Sequence, residues 1–186
     1  LWVCVGFCQE RLRLSFYTFA IGTSAMPRPF ARPFARLMFW PTFVWNYLLG
    51  RLLRVRHWWD RIDANVVLGA MPFARDVPAL AAEGVRGVVN TCEEYAGPEA
   101  EYAAAGIEQL RIPTTDFQPP SLEDIQQAVD FIRRFAQRGQ SVYVHCKAGR
   151  ARSATVVVCW LAAAHGMTPD QAQQLLLEKR PHVLRH

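Results

Sequence analysis

The sequence predicts an α/β fold: a central, mostly parallel sheet flanked by helices, with an apolar, Arg-rich N-terminal extension. Three observations predict it. Short β-prone runs alternate with segments of helical period. An apolar content of 51% supplies a real core and excludes wholesale disorder. A length of 186 residues suits one domain of ordinary size and leaves little room for a second.

The elements follow in chain order. Val66–Leu68, Val85–Val89, Ile107–Ile112 and Ser141–Val144 are β-prone or apolar runs bounded by Gly, Pro and Asn. Ser121 to Asp124 resembles a capping box with Asp in place of Glu or Gln. Ile125, Ala128, Val129, Ile132 and Phe135 then recur at helical spacing until Gly139. A second helix is expected from Arg152 to His165, stopped by Gly166. Thr168 and Pro169 open a third that runs to about Lys179.

The charge is unevenly placed. The chain carries 21 basic and 16 acidic residues, for a net charge of +5, and 19 of the basic residues are Arg. Residues 1–59 hold eight Arg against the single acid Glu10, whereas residues 60–186 are slightly acidic. The basic surplus therefore lies outside the expected folded module, which argues against a nucleic-acid partner. Five scattered cysteines (Cys4, Cys8, Cys92, Cys146 and Cys159) show no CxxC pair, so neither a disulfide framework nor a zinc site is expected.

Three regions result. Residues 1–36 read as an acid-poor, Arg-rich targeting or disordered segment of the kind a membrane potential draws into an organelle. The chain begins at Leu1, and Met26 is an alternative start. Residues 37–57 contain the uncharged run from Leu37 to Gly50, 14 residues that as a helix span about 21 Å. That is too short to cross about 30 Å of hydrocarbon. Trp40, Trp45 and Tyr47, with Arg36 before them and Arg51, Arg54 and Arg56 after, suit a segment lying in the headgroup layer. A helix packed on the domain is the competing reading. Residues 58–186 form the folded domain.

The chemistry is concentrated between Val142 and Thr155, where an apolar strand runs into a short loop and a helix starts at once. Loop amides and a positive helix end converge there into an anion site. Cys146 stands at the strand end, where that field lowers a thiol's pKa and makes it a nucleophilic thiolate. Arg152, six residues on, brings back a planar fork suited to a bidentate phosphate contact. Ser153 can donate a hydrogen bond to the sulfur and help it leave. His145 is expected to orient the loop through backbone hydrogen bonds rather than to act as a base. Lys147, Ala148, Gly149, Arg150 and Ala151 complete the expected phosphate-binding loop, which needs no metal and no cofactor.

The stretch from His145 to Ser153 (HCKAGRARS) resembles the HCxxGxxR signature, followed by Ser or Thr, of cysteine-based dual-specificity-type protein tyrosine phosphatases. These enzymes form and then hydrolyse a phosphocysteine. Residues 58–185 further resemble the mitochondrial branch of that family that acts as phosphatidylglycerophosphate phosphatase. The shared pieces run from Trp59 to Asp63, Leu68 to Pro72, Gly87 to Asn90 and Glu93 to Tyr95, and include the loop itself. The apolar lead-in from Phe39 to Leu49 fits that branch's membrane-associated N-terminus. The branch usually continues into a further C-terminal helix, so a C-terminally short domain is expected here.

In this class an Asp on an upstream mobile loop protonates the leaving oxygen. Asp116, among Pro113, Pro119 and Pro120, is the matching residue. Asp124 and Asp130 are rivals inside the expected helix. Lys147 and Arg150 resemble the extra cations in the loop of the tumour-suppressor phosphoinositide 3-phosphatase and would hold a second substrate charge. The alternative is a solvated basic pair. Cys159 is expected in the core and Cys92 as structural, with redox pairing to Cys146 as its alternative. Glu93, Glu94 and Tyr95 either shape specificity or form a solvated acidic loop.

The resemblance implies a metal-independent phosphomonoesterase acting on an anionic phospholipid at a membrane surface. The substrate would be phosphatidylglycerophosphate, converted to phosphatidylglycerol in the cardiolipin pathway at the mitochondrial inner membrane. A phosphoprotein or phosphoinositide substrate, and a cytoplasmic or other membrane-associated location, are the alternatives.

Overall fold

The computed structural model describes residues 28–116 and 118–184. The expectations for residues 1–27, including a start at Met26, lie outside these. Helix α1 (Arg28–Tyr47) leads through a wider π turn (Leu48–Leu52) into the domain. Strands β1 (Trp59–Arg61) and β2 (Val66–Gly69) follow, then α2 (Val77–Ala82), β3 (Val85–Cys92), α3 (Glu99–Ala104) and β4 (Glu108–Thr114). The chain closes with α4 (Leu122–Ala136), β5 (Ser141–His145), α5 (Arg152–His165) and α6 (Pro169–Lys179).

The five strands lie in the order β1-β2-β5-β3-β4, with β1 antiparallel to β2 and every other pairing parallel. β5 is therefore the central strand, and its buried run Val142, Tyr143, Val144 and His145 delivers the next residue to the carboxyl edge of the sheet. α4, α5 and α6 cover one face around Val66, Leu68, Val89, Val144, Ile132 and Leu161. On the other face, α2 and α3 pack about Val67, Leu80, Val88, Tyr102 and Tyr143.

Local chemistry sets the helix ends. Ser121 Oγ accepts the Asp124 amide at 3.1 Å. The Asp124 carboxylate takes the Ser121 hydroxyl at 2.7 Å instead of reaching back to the backbone, so the expected reciprocal box is only half made. Asp is one methylene too short for the return bond. Thr168 and Gln171 do form the full box. Gly166, with φ of 66°, ends α5 in the left-handed conformation that glycine tolerates best.

α1 runs unbroken from Arg28 across residue 36, so the Arg-rich segment and the apolar run share one helix. Pro29 suits a helix start, since first-turn amides have no intrahelical partner. Pro41 lies deeper, and Thr42 Oγ1 bonds to the Met38 carbonyl at 2.6 Å beside it. On the inner face of α1, Phe43 and Tyr47 meet Phe73 edge-on, Tyr47 also meets Trp58, and Phe39 stacks on Phe43 within the helix. Its outer face exposes Leu37, Trp40, Val44 and Trp45. No described helix is long and apolar enough to cross a membrane.

Candidate active site

Cys146 follows β5 directly, and Arg152 opens α5 six residues later, so strand, loop and helix form one tight cradle. The cradle closes only because residue 149 is glycine. Its φ is 66°, and a Cβ there would lie 2.4 Å from the Gly69 carbonyl. Arg180, fully buried, braces the loop from behind. Its guanidinium donates to the carbonyls of Gly149 (3.0 Å) and Ala148 (3.2 Å), and is itself held by Asp60 at 2.5 Å. With those carbonyls drawn outward, the loop amides are left facing the sulfur. The Gly149 amide reaches Sγ at 3.2 Å.

The Cys146 thiol is held below its ordinary value. Burial alone pushes it up, but Arg152, the Ser153 hydroxyl and the amides of Ser153 and Arg150 outweigh that. Ser153 Oγ donates to Sγ at 3.2 Å, as expected. His145 is fully buried and its pKa is pushed down to about 3, by burial first and then by Arg152. The ring is therefore neutral, and Nδ1 lies 3.4 Å from the Cys146 carbonyl. An orienting role fits this geometry. A base does not.

Arg152 is 2% exposed at its side chain. One nitrogen, Nη1, is fixed by Glu94 (3.0 Å) and the Thr114 carbonyl (2.7 Å). Nε and Nη2, the other edge of the fork, are buried and make no hydrogen bond, Nη2 having only an ion pair with Asp116 Oδ1 at 3.2 Å. That edge is the two-pronged donor a phosphate oxygen pair requires. Glu94 thus sets the fork, and the acidic loop is neither solvated nor loose. Asn90 ties the loop down by donating to the carbonyls of Tyr95 and Ala96, and Tyr95 donates to the Pro72 carbonyl at 2.7 Å.

Asp116 sits on the β4–α4 connection with Oδ1 3.2 Å from Arg152 Nη2 and Oδ2 2.5 Å from Lys147 Nζ. Its rivals point away: Asp124 caps α4, and Asp130 pairs with Arg133 on an exposed face. Lys147 and Arg150 both have partners within the protein. Lys147 is buried and engaged with Asp116 and Thr42. Arg150 Nε donates to the His182 carbonyl at 2.7 Å, so this cation faces the C-terminal segment. Neither stands free above the loop. Ala148 and Ala151 offer only backbone, Ala151 as the residue before α5. Cys159 is core, and Cys92 is a buried free thiol pushed far up by burial, which fits a structural role.

Arg180 and Thr42 escaped the sequence reading. The distance in sequence from Arg180 to the loop carries no local signal. Glu94 was singled out, but its partner was not.

The arrangement suits two-step phosphoryl transfer. Sγ attacks phosphorus while Arg152 and the loop amides bind the equatorial oxygens. Asp116, beside the fork, is placed to give a proton to the departing ester oxygen. Water, deprotonated by the same carboxylate, then cleaves the thiophosphate, and Ser153 stabilises the returning thiolate.

A parallel-sheet α/β domain carrying this cradle defines a cysteine-dependent phosphatase. Residues 66–186 match the dual specificity phosphatase catalytic domain, and the chain belongs to that family. It is 44% identical to the phosphatidylglycerophosphate phosphatase PTPMT2 of Arabidopsis thaliana, over 81% of this chain and 68% of the relative. It is also 39% identical to the mouse phosphatidylglycerophosphatase and protein-tyrosine phosphatase 1, over 80% and 82% of the two chains. Against the longer PTPMT1 of Arabidopsis thaliana, also 44% identical over 81% of this chain, it spans 45% of the relative's length. A crystal structure of PTPMT1 in complex with PI(5)P superposes with a TM-score of 0.66 at 38% identity, covering 69% of this chain and 86% of that one.

Proposed function

We propose that this chain hydrolyses the terminal phosphomonoester of phosphatidylglycerophosphate at a mitochondrial membrane surface, giving phosphatidylglycerol. The observation that carries the proposal is the two-sided α1. Its inner face touches the catalytic loop at Lys147, and its outer face turns Leu37, Trp40, Val44 and Trp45 to solvent. Aromatic and aliphatic groups on one helix face, with Arg54 and Arg56 beyond it, suit the headgroup layer of an anionic bilayer. Such seating would hold the cradle above the interface, within reach of a headgroup phosphate. The Arabidopsis and mouse relatives carry the phosphatidylglycerophosphatase activity in their names, and the acid-poor, Arg-rich N-terminal third supports the mitochondrial setting.

The test compares phosphate release from phosphatidylglycerophosphate in vesicles with release from phosphotyrosine and phosphothreonine peptides. The lipid should lead in kcat/KM by at least about tenfold, or roughly 1.4 kcal/mol. Equal or faster turnover of the peptides would overturn the lipid assignment. The peptide reading has one observation in its favour: the mouse relative is named for both activities.

A further inference from the structure

We propose that Thr42 and Phe39 of α1 are positioning residues for the general acid. They fix Lys147, Lys147 fixes Asp116, and acid catalysis therefore depends on α1 being seated against the loop. The inference rests on the cysteine-phosphatase reading and not on the choice of lipid.

The Lys147 side chain is 6% exposed, so its ammonium must find its partners within the protein. One N–H goes to Asp116 Oδ2 at 2.5 Å and another to Thr42 Oγ1 at 2.7 Å. The face of the Phe39 ring, with its centroid 5.3 Å from Nζ, covers the charge. Thr42 gives its own proton to the Met38 carbonyl at 2.6 Å, so a lone pair is what it presents to Lys147. The direction of every bond is thereby set, from the α1 backbone to the catalytic carboxylate.

Asp116 needs this support. It lies beyond the end of β4 on a connection between elements, where the chain itself fixes little. Its second cation, Arg152, is also the phosphate fork. Once phosphate occupies that fork, Lys147 is the cation left to Asp116. Because Lys147 holds Oδ2, the proton is directed to Oδ1, the oxygen that faces Arg152 and hence the reacting phosphate. α1 thus reaches the chemistry through one hydroxyl and one ring.

The test uses two aryl phosphates of similar shape on the full chain. The anion of 4-nitrophenol leaves readily without a proton, whereas phenolate needs one. General acid catalysis contributes about 10²–10⁴-fold, and loosening the acid should forfeit part of that. Thr42→Val should lower kcat/KM, which reports only the step in which the leaving group departs, by roughly fivefold to tenfold for phenyl phosphate and by less than about twofold for 4-nitrophenyl phosphate. Thr42→Ser, which keeps the hydroxyl, should restore the phenyl phosphate rate. Lys147→Met should show the same split, and adding Thr42→Val to it should have no further effect, as expected for two members of one relay. Equal losses on both substrates, no loss on either, or a Ser variant that behaves like Val would overturn the proposal. If Thr42→Val fails to fold, an unsplit effect of Lys147→Met overturns it alone. Persistence of 4-nitrophenyl phosphate hydrolysis in Cys146→Ser would instead sink the cysteine mechanism beneath it.

Discussion

The phosphate cradle and α1 meet at Lys147 but are held in place differently. In the cradle the fixed groups are tied by direct polar bonds: the sulfur has the Gly149 amide and Ser153, the Arg152 nitrogen Nη1 has Glu94 and Thr114, and Arg180 holds two loop carbonyls at once. α1 is held mainly by aromatic edges on one face and leaves apolar side chains exposed on the other. A redundantly tied loop keeps its shape whatever surrounds it. A helix seated by one face can answer to a surface that covers the other.

The sharpest way to test the contrast is at the sulfur. Cys146→Ser should cut kcat by on the order of 10⁴-fold or more, about 5 kcal/mol of transition-state stabilisation, while the melting temperature holds within a few degrees. Residual activity near wild type would remove Cys146 as nucleophile. Gly149→Ala comes next. A methyl group 2.4 Å from the Gly69 carbonyl, at positive φ, must displace the loop, and the fold should lose about 2–4 kcal/mol in urea unfolding. A neutral outcome would mean that the cradle yields more easily than its bonding indicates.

Acid should weaken the cradle and its C-terminal backing. His145 and His182 are each pushed down to about 3, first by burial, whereas an unfolded histidine titrates near 6.5. Between those values the unfolded chain binds protons that the folded chain excludes. This stabilisation is therefore whole above about pH 6.5 and declines as pH falls, with a slope of up to about 1.4 kcal/mol per pH unit for each proton. Urea unfolding at pH 7 and pH 5 checks it, and equal stabilities would contradict both burials. The smallest effect belongs to α1. Phe43→Ala should loosen the helix by about 1 kcal/mol, lowering hydrogen-exchange protection across α1 while β5 keeps its own. Equal loss in both would show that the two regions unfold together and erase the distinction.

The cradle was legible because its parts are neighbours in the chain. Cys146, Gly149, Arg152 and Ser153 lie within one strand–loop–helix turn, and the nucleophile and fork follow from that spacing. The cores of the four strands from Val66 onward and all three later helices were legible too, because their periods are long enough to show. β1, α2 and α3 were not, since three- and six-residue elements hold less than two helical turns of pattern.

What the sequence by itself determined is the fold class and the placement of Cys146, Arg152 and Ser153 in one strand–loop–helix turn, with Asp116 on an upstream connection. All of these are written as local spacing between strand and helix. Only the tertiary structure decided what each charge does. It joined Lys147 to Asp116 and Thr42, turned Arg150 to the C-terminal segment, and set Glu94 behind Arg152 and Arg180 behind the loop carbonyls. The physical reason is that a buried cation must find acceptors wherever the fold brings them. Those acceptors lie 31 to 105 residues away in the chain, beyond any local pattern.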